Sequence, residues 1–146
     1  MKTKPCVIIL VGATFMLPAA SRTANLFWAN TGTDFNAAGS FTNATGANQA
    51  PTSSDYVYFP AVAVTQPTLT ADLTLQGFAF RRDPTAEVNV AEPPDCCGYT
   101  LSASNGAKLT LTYNGNNYPI VCRTRGTNFV AAPIIFHNAN NRRFWA

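Results

Sequence analysis

Alternation is the feature that most constrains this chain. Leu109, Leu111 and Tyr113 fall on one side of a segment whose other side is Lys108, Thr110 and Thr112. Successive side chains of an extended backbone point to opposite faces, so this segment reads as a strand with one face to bury. The same period recurs in short pieces along the chain: Leu73-Thr74-Leu75, Phe78-Ala79-Phe80, Val88 with Val90, and Tyr99-Thr100-Leu101. Tyr56-Val57-Tyr58-Phe59 is a run of strong strand formers, and Val62–Val64 offers a further short strand. Tyr118–Cys122, part of Phe129–Phe136, and Phe144-Trp145 extend the series. No window places apolar residues at helical spacing, so the chain is expected to be all-β.

The pieces are separated by residues that end strands. Pro51–Asp55, Arg81–Pro84, Ser104-Asn105-Gly106, Asn114–Asn117 and Asn138–Arg143 read as turns, and the Asn and Gly residues among them tolerate positive φ. Gly77 shifts the phase between Leu75 and Phe78, which predicts a bend or bulge there. Glu92–Gly98, with its paired prolines, is expected to be an exposed loop. Charged residues are only 12% of the chain, against about a quarter in an average domain, which excludes a coiled coil or a charged disordered tail.

The N-terminus has the order of a secretory leader: Lys2 and Lys4, the apolar run Cys6–Leu17, then Pro18-Ala19-Ala20-Ser21. Cleavage is expected after Ser21. The run is shorter than the roughly 20 residues needed to span a bilayer, so no membrane span is expected once the leader is gone. Loss of Lys2 and Lys4 leaves the remainder close to neutral. The formal +3 charge therefore gives no reason to expect nucleic acid as a partner. The arginines at positions 81, 82, 123, 125, 142 and 143 read as solvated turn residues.

Three cysteines then remain, Cys96, Cys97 and Cys122. One disulfide can join Cys122 to either neighbour of the pair, leaving one thiol over; adjacent cysteines rarely bond each other. A zinc site would need His137, the one histidine, and the Cys-Cys adjacency suits it poorly. No metal and no cofactor is expected.

Asn25–Ala50 carries Phe27, Trp28, Phe35 and Phe41 between clusters of Gly, Asn and Thr. It reads as loop-like, with its aromatics, joined by Phe59, folding inward to cover one end of a β core. The rival role for exposed aromatics is a stacking platform for sugars, drawn from Trp28, Phe35, Tyr56 and Tyr58. Asn43-Ala44-Thr45 has sequon form. Signs of catalysis are sparse. His137 lies in a turn, no Gly-x-Ser-x-Gly elbow occurs, and Glu87 and Glu92 flank a Pro-rich loop that would not hold a carboxylate pair at fixed separation. Asp55 reads as a turn cap. The chain is not expected to be an enzyme.

In this order the elements resemble the amino-terminal part of secreted bacterial proteins with autotransporter-associated β-strand repeats, many from bacteria that use PEP-CTERM anchors. The resemblance runs through Phe27-Trp28, Asp34-Phe35-Asn36, Gly39-Ser40-Phe41, Pro51–Asp55 leading to Phe59, Leu73-Thr74-Leu75, Gly77–Phe80, Tyr99-Thr100-Leu101, Gly106, Leu109-Thr110-Leu111, Pro133-Ile134 and Trp145. The chain departs from that pattern at Phe41, where tryptophan is usual, and in the Glu92–Cys97 loop with its cysteines. The resemblance implies a right-handed parallel β-helix used as an exported or surface scaffold, with no catalytic residues to carry over.

Short strands with Leu and Phe on one face and Thr and Asn on the other can stack as turns of such a solenoid, each burying its apolar face on the next. The expected organisation is a leader at 1–21, an aromatic cap region at 22–60, and solenoid turns at 61–146 that break off as a strand begins, so further repeats are expected in the full-length chain. A small β-sandwich is the alternative fold. The expected role is a structural or adhesive segment, secreted or at the bacterial cell surface. The partner class is a cell-surface or extracellular polysaccharide, and a secreted carbohydrate-binding module is the alternative.

Overall fold

The structure, a computed structural model, describes residues 24–81, 97–112, 119–122 and 126–137, and the backbone of 144–145. Its strands are short. In chain order they are β1 Asn25–Trp28, β2 Phe41–Asn43, β3 Tyr56–Phe59, β4 Thr68–Leu69, β5 Leu73–Leu75, β6 Gly77–Phe80, β7 Thr100–Ala103, β8 Leu109–Leu111, β9 Ile120–Cys122, β10 Phe129–Val130, β11 Ile134–Phe136 and β12 Phe144–Trp145. A 3-10 turn, Ala38–Ser40, precedes β2.

The strands form three sheets. The first has six strands in the order β12-β9-β6-β3-β1-β2; the second is β10-β7-β4 and the third β11-β8-β5. From β3 onward the chain visits the first, second and third sheets in turn three times, through β3-β4-β5, β6-β7-β8 and β9-β10-β11, before β12 rejoins the first sheet. Among the described strands every pairing between passes is parallel and β1 with β2 is antiparallel; outside the strands Thr42 makes an antiparallel bridge to Asn48. That pattern differs from a sandwich of antiparallel sheets, because consecutive strands go to different sheets instead of closing hairpins. The turn at Asn105 (φ 54°) and Gly106 (φ 72°) illustrates this: it carries the chain from β7 in the second sheet to β8 in the third.

Register sets like residues above like. Leu73, Leu109 and Ile134 form one column, and Leu75, Leu111 and Phe136 the next. In the first sheet Val57 lies beside Phe78, which lies beside Ile120. These positions point inward. Leu75, Leu109 and Phe78 are fully buried, while Thr74 and Thr110, between them in sequence, are half-exposed. One apolar cluster runs from Leu26 to Phe136, so the core is continuous across residue 60.

Several expectations change. Asn25–Ala50 is not loop throughout: β1 is an interior strand of the first sheet, parallel to β3 and antiparallel to β2. Val62–Val64 is not a strand, and Val62 and Val64 are exposed. The groups that a ladder would use go to Asn30 instead: its Nδ2 donates to the Val62 carbonyl at 3.1 Å, and Val64 N donates to its Oδ1 at 3.2 Å. Phe129–Phe136 holds two strands, divided where the chain turns at Ala131–Pro133 from the second sheet to the third. The bend at Gly77 is there, with Gln76 alone between β5 and β6. The leader, Val88 with Val90, Glu92–Cys96, Asn114–Asn117 and Asn138–Arg143 lie outside the described residues.

Candidate functional site

Alternation in β1 decides which N-terminal aromatics act together. Leu26 and Trp28 face inward and are buried, and Phe27 faces out. Inside, Trp28 meets the edge of Phe41 at 5.3 Å between ring centroids, and Phe41 meets Phe35 at 5.2 Å. Phe35 lies parallel to Phe59 at 6.1 Å. Phe59 then contacts Phe80 and Tyr99, each at 4.8 Å. Trp28, Phe35, Phe41 and Phe59 thus form a buried aromatic plug within the main apolar core, in the edge-to-face and offset arrangements that ring quadrupoles favour. Phe27, grouped with them from the sequence, lies on the opposite face of the sheet.

There Phe27 begins a second row. It stacks on Tyr58 at 5.7 Å, and Tyr58 packs against Tyr56 at 5.1 Å. Ala79 and Val121 complete this smaller cluster on the outer face of the first sheet. The Tyr56 ring lies over Gly77, and its hydroxyl donates to the Phe78 carbonyl at 3.2 Å. A Cβ on Gly77 would sit 2.6 Å from Tyr56 Cε2 and 2.7 Å from the Pro119 carbonyl oxygen. An aromatic ring laid across a strand glycine replaces the packing that the glycine lacks. Burial pushes the Tyr58 phenol above its ordinary pKa, with the positive charge of Arg81 acting the other way. Of the four aromatics proposed as a sugar platform, Trp28 and Phe35 belong to the interior plug and Tyr56 and Tyr58 are buried in the outer row; Phe27 is the half-exposed ring.

The corners between strands are held by polar side chains that reach the backbone of a neighbouring pass. Asn30 Oδ1 accepts from Trp28 Nε1 at 3.1 Å and from Val64 N, and Asn30 Nδ2 also donates to the Tyr99 hydroxyl at 3.0 Å. Asn36 accepts from Thr70 N at 2.9 Å and donates to the Ala71 carbonyl at 3.2 Å. Gln66 accepts from Thr100 N at 2.6 Å and donates to the Gly98 carbonyl at 3.0 Å. Asp72 accepts from Lys108 N at 2.8 Å, and Asn128 from Tyr99 N at 3.1 Å. These groups occupy the backbone donors and acceptors left over where the ladders stop. Sequence reasoning took Asn30 as a turn residue, used Asn36 only in the family resemblance, and missed the clamps. The missed signal is a spacing: Asn30 to Val64, Asn36 to Thr70 and Gln66 to Thr100 are each 34 residues apart.

The remaining candidates are dispersed. Asp55 is buried and caps its turn, with Oδ2 accepting from Thr52 N and Thr52 Oγ1, each at 2.8 Å, and Oδ1 from Ala24 N at 3.1 Å. Asp34 accepts from Asn36 N and Thr70 Oγ1. His137 is exposed, and its backbone N–H donates to the Leu111 carbonyl. Asn43 of the sequon accepts from Thr45 N and Thr45 Oγ1, a tight Asx turn. Cys97 and Cys122 are half-buried and not joined to each other; Cys97 packs on Gly126, and Asn128 Nδ2 lies 3.9 Å from Cys122 Sγ. Cys96 lies outside the described residues. Among the described residues no group of three His, Cys, Asp or Glu side chains is placed to hold a metal ion, and no helix is long and apolar enough to cross a membrane. No family model, curated protein or solved structure matches the chain.

Proposed function

We propose that the chain opens a right-handed parallel β-helix on an exported bacterial protein of the autotransporter-associated β-strand repeat kind. There it serves as a non-catalytic structural or adhesive segment at the cell surface. The observation that carries this reading is the recurring circuit: three sheets visited in fixed order, with parallel register between passes. A chain that winds in this way buries its Leu and Phe columns on the adjacent pass and needs no other layer. The aromatic plug supports the reading of an N-terminal cap, since the first turn of a solenoid exposes its interior unless something covers it. The leader-like order of residues 1–21 supports export.

A polysaccharide is the partner class proposed, and contact with it would fall on the outer faces, where Thr68, Thr74, Ser102 and Thr110 present hydroxyls and Phe27 a half-exposed ring. Expression of the full sequence in a Gram-negative host tests the assignment. The expected outcome is a product shortened by residues 1–21 and cut by protease added to intact cells. A full-length product confined to the cytoplasm contradicts it.

A further inference from the structure

Asn43-Ala44-Thr45 takes no part in the apolar core or the corner clamps, yet it is built into a defined loop. Strand β2 ends at Asn43 and the chain reverses at once. Gly46 N donates to the Asn43 carbonyl at 2.9 Å, and Asn43 N donates to the Ala47 carbonyl at 2.9 Å. Gly46 takes φ 82°, and Thr42 bridges Asn48 in antiparallel sense. A three-residue hairpin loop closes in this way, with glycine at the third position.

The side chains of the motif follow the same loop. Asn43 Oδ1 accepts from Thr45 N at 3.0 Å, from Thr45 Oγ1 at 2.7 Å and from Ala47 N at 3.0 Å. Three donors fix the orientation of the amide through its oxygen. The nitrogen is held far less firmly: Nδ2 contacts Gln49 Oε1 at 3.4 Å, beyond the usual length of a hydrogen bond. Residues 44–48 are exposed and Asn43 is half-exposed. A Cβ on Gly46 would meet nothing within 4 Å, so there is open space beside the loop tip. A transferase that glycosylates asparagine recognises that residue together with a hydroxyl two positions later, on an accessible loop. Here the Thr45 hydroxyl already lies against the Asn43 amide. An amide nitrogen is a weak nucleophile until it sheds a proton, and donors on Oδ1 stabilise the negative charge that the oxygen then carries.

We propose that Asn43 is an acceptor for an asparagine-linked sugar, taken from a donor activated as a diphosphate ester. Nδ2 attacks the anomeric carbon. The N–C bond forms as the bond from that carbon to the phosphate oxygen breaks, the diphosphate leaves, and one Nδ2 proton passes to a base on the transferase. Nucleotide-linked and lipid-linked sugar diphosphates share this chemistry. Only the hairpin is required, not the circulating stack. No other Asn in the chain is followed two residues later by Ser or Thr, so one glycan per chain is expected.

The purified, folded full chain tests this in two arms. One holds a soluble asparagine glucosyltransferase with UDP-glucose, the other a membrane oligosaccharyltransferase with a lipid-linked oligosaccharide. Intact mass is expected to rise by one glycan in at least one arm, with peptide mapping placing it on Asn43. The arm that responds identifies the kind of donor. Asn43→Gln and Thr45→Ala are each expected to abolish the gain, and Thr45→Ser, which keeps the hydroxyl, to retain it. No gain in either arm would overturn the assignment, as would a gain that survives Asn43→Gln. Modification confined to chain unfolded by heating beforehand would also overturn it, since the folded hairpin is what presents Asn43. Thr45→Ala modified as readily as the parent chain would overturn the part given to the hydroxyl.

Discussion

At the scale of single residues, Asn30 carries more of the structure than its position in a turn implies. Its backbone sits at φ 57°, a conformation that Asn and Gly adopt with little strain, while its amide joins Trp28, Val62, Val64 and Tyr99. Asn30→Gly keeps the backbone and removes the amide; it should cost about 2 kcal/mol, as several partly buried partners lose a hydrogen bond. Asn30→Leu adds the strain of positive φ and should cost more, by chemical denaturation. Gly77→Ala should destabilise by about 1–3 kcal/mol, since the carbonyl of Pro119 cannot swing aside as a side chain would.

Tyr58 gives a pH signature. Its folded phenol titrates above the unfolded value of about 10. Above that pH the unfolded chain therefore releases a proton that the folded chain retains. The stability contribution is complete below about pH 10 and is lost as pH rises through the folded value. Tyr58→Phe should flatten that alkaline slope in denaturation curves taken from pH 8 upward.

At the scale of elements, inward and outward positions of one strand should respond very differently. Phe59→Ala opens a cavity between the plug, Phe80 and Tyr99, and should cost about 3–5 kcal/mol. Phe27→Ala, on the half-exposed outer row, should cost about 1 kcal/mol. Equal losses in thermal denaturation would mean that the alternation in β1 and β3 is not as described. Much of this was legible in the sequence: the Leu-Thr-Leu and Phe-Ala-Phe pieces are β5, β8 and β6, and their apolar faces are the buried ones. Strand β1 was not legible as such, because Asn25-Leu26-Phe27-Trp28 is apolar at consecutive positions when both faces of its sheet are covered. Val62–Val64 misled in the opposite direction. Local β propensity there yields to a side chain 34 residues earlier that takes up its backbone groups.

At the scale of the whole molecule, the chain circulates through its three sheets instead of folding back on itself. The connections explain why this is hard to read from sequence. Between the first and second sheets the link is short from β3 to β4 and from β9 to β10, but from β6 to β7 it spans Arg81–Tyr99. The register offset consequently varies: Tyr56 pairs with Gly77, yet Phe78 pairs with Ile120. No fixed period marks the repeat in the first sheet, and in the second the step changes from 34 residues between Thr68 and Ser102 to 29 between Thr100 and Phe129. Turn clusters mark where strands stop, but an Asn-Gly turn is equally compatible with a hairpin, and only the pairing partner distinguishes the two.

That pairing is the most direct test of the account. Nuclear Overhauser contacts between backbone amide and α protons should connect Leu73–Leu75 to Leu109–Leu111, and these to Ile134–Phe136, all in parallel order. Antiparallel contacts between Thr100–Ala103 and Leu109–Leu111 would mean that β7 and β8 close a hairpin, and would contradict the circulating fold.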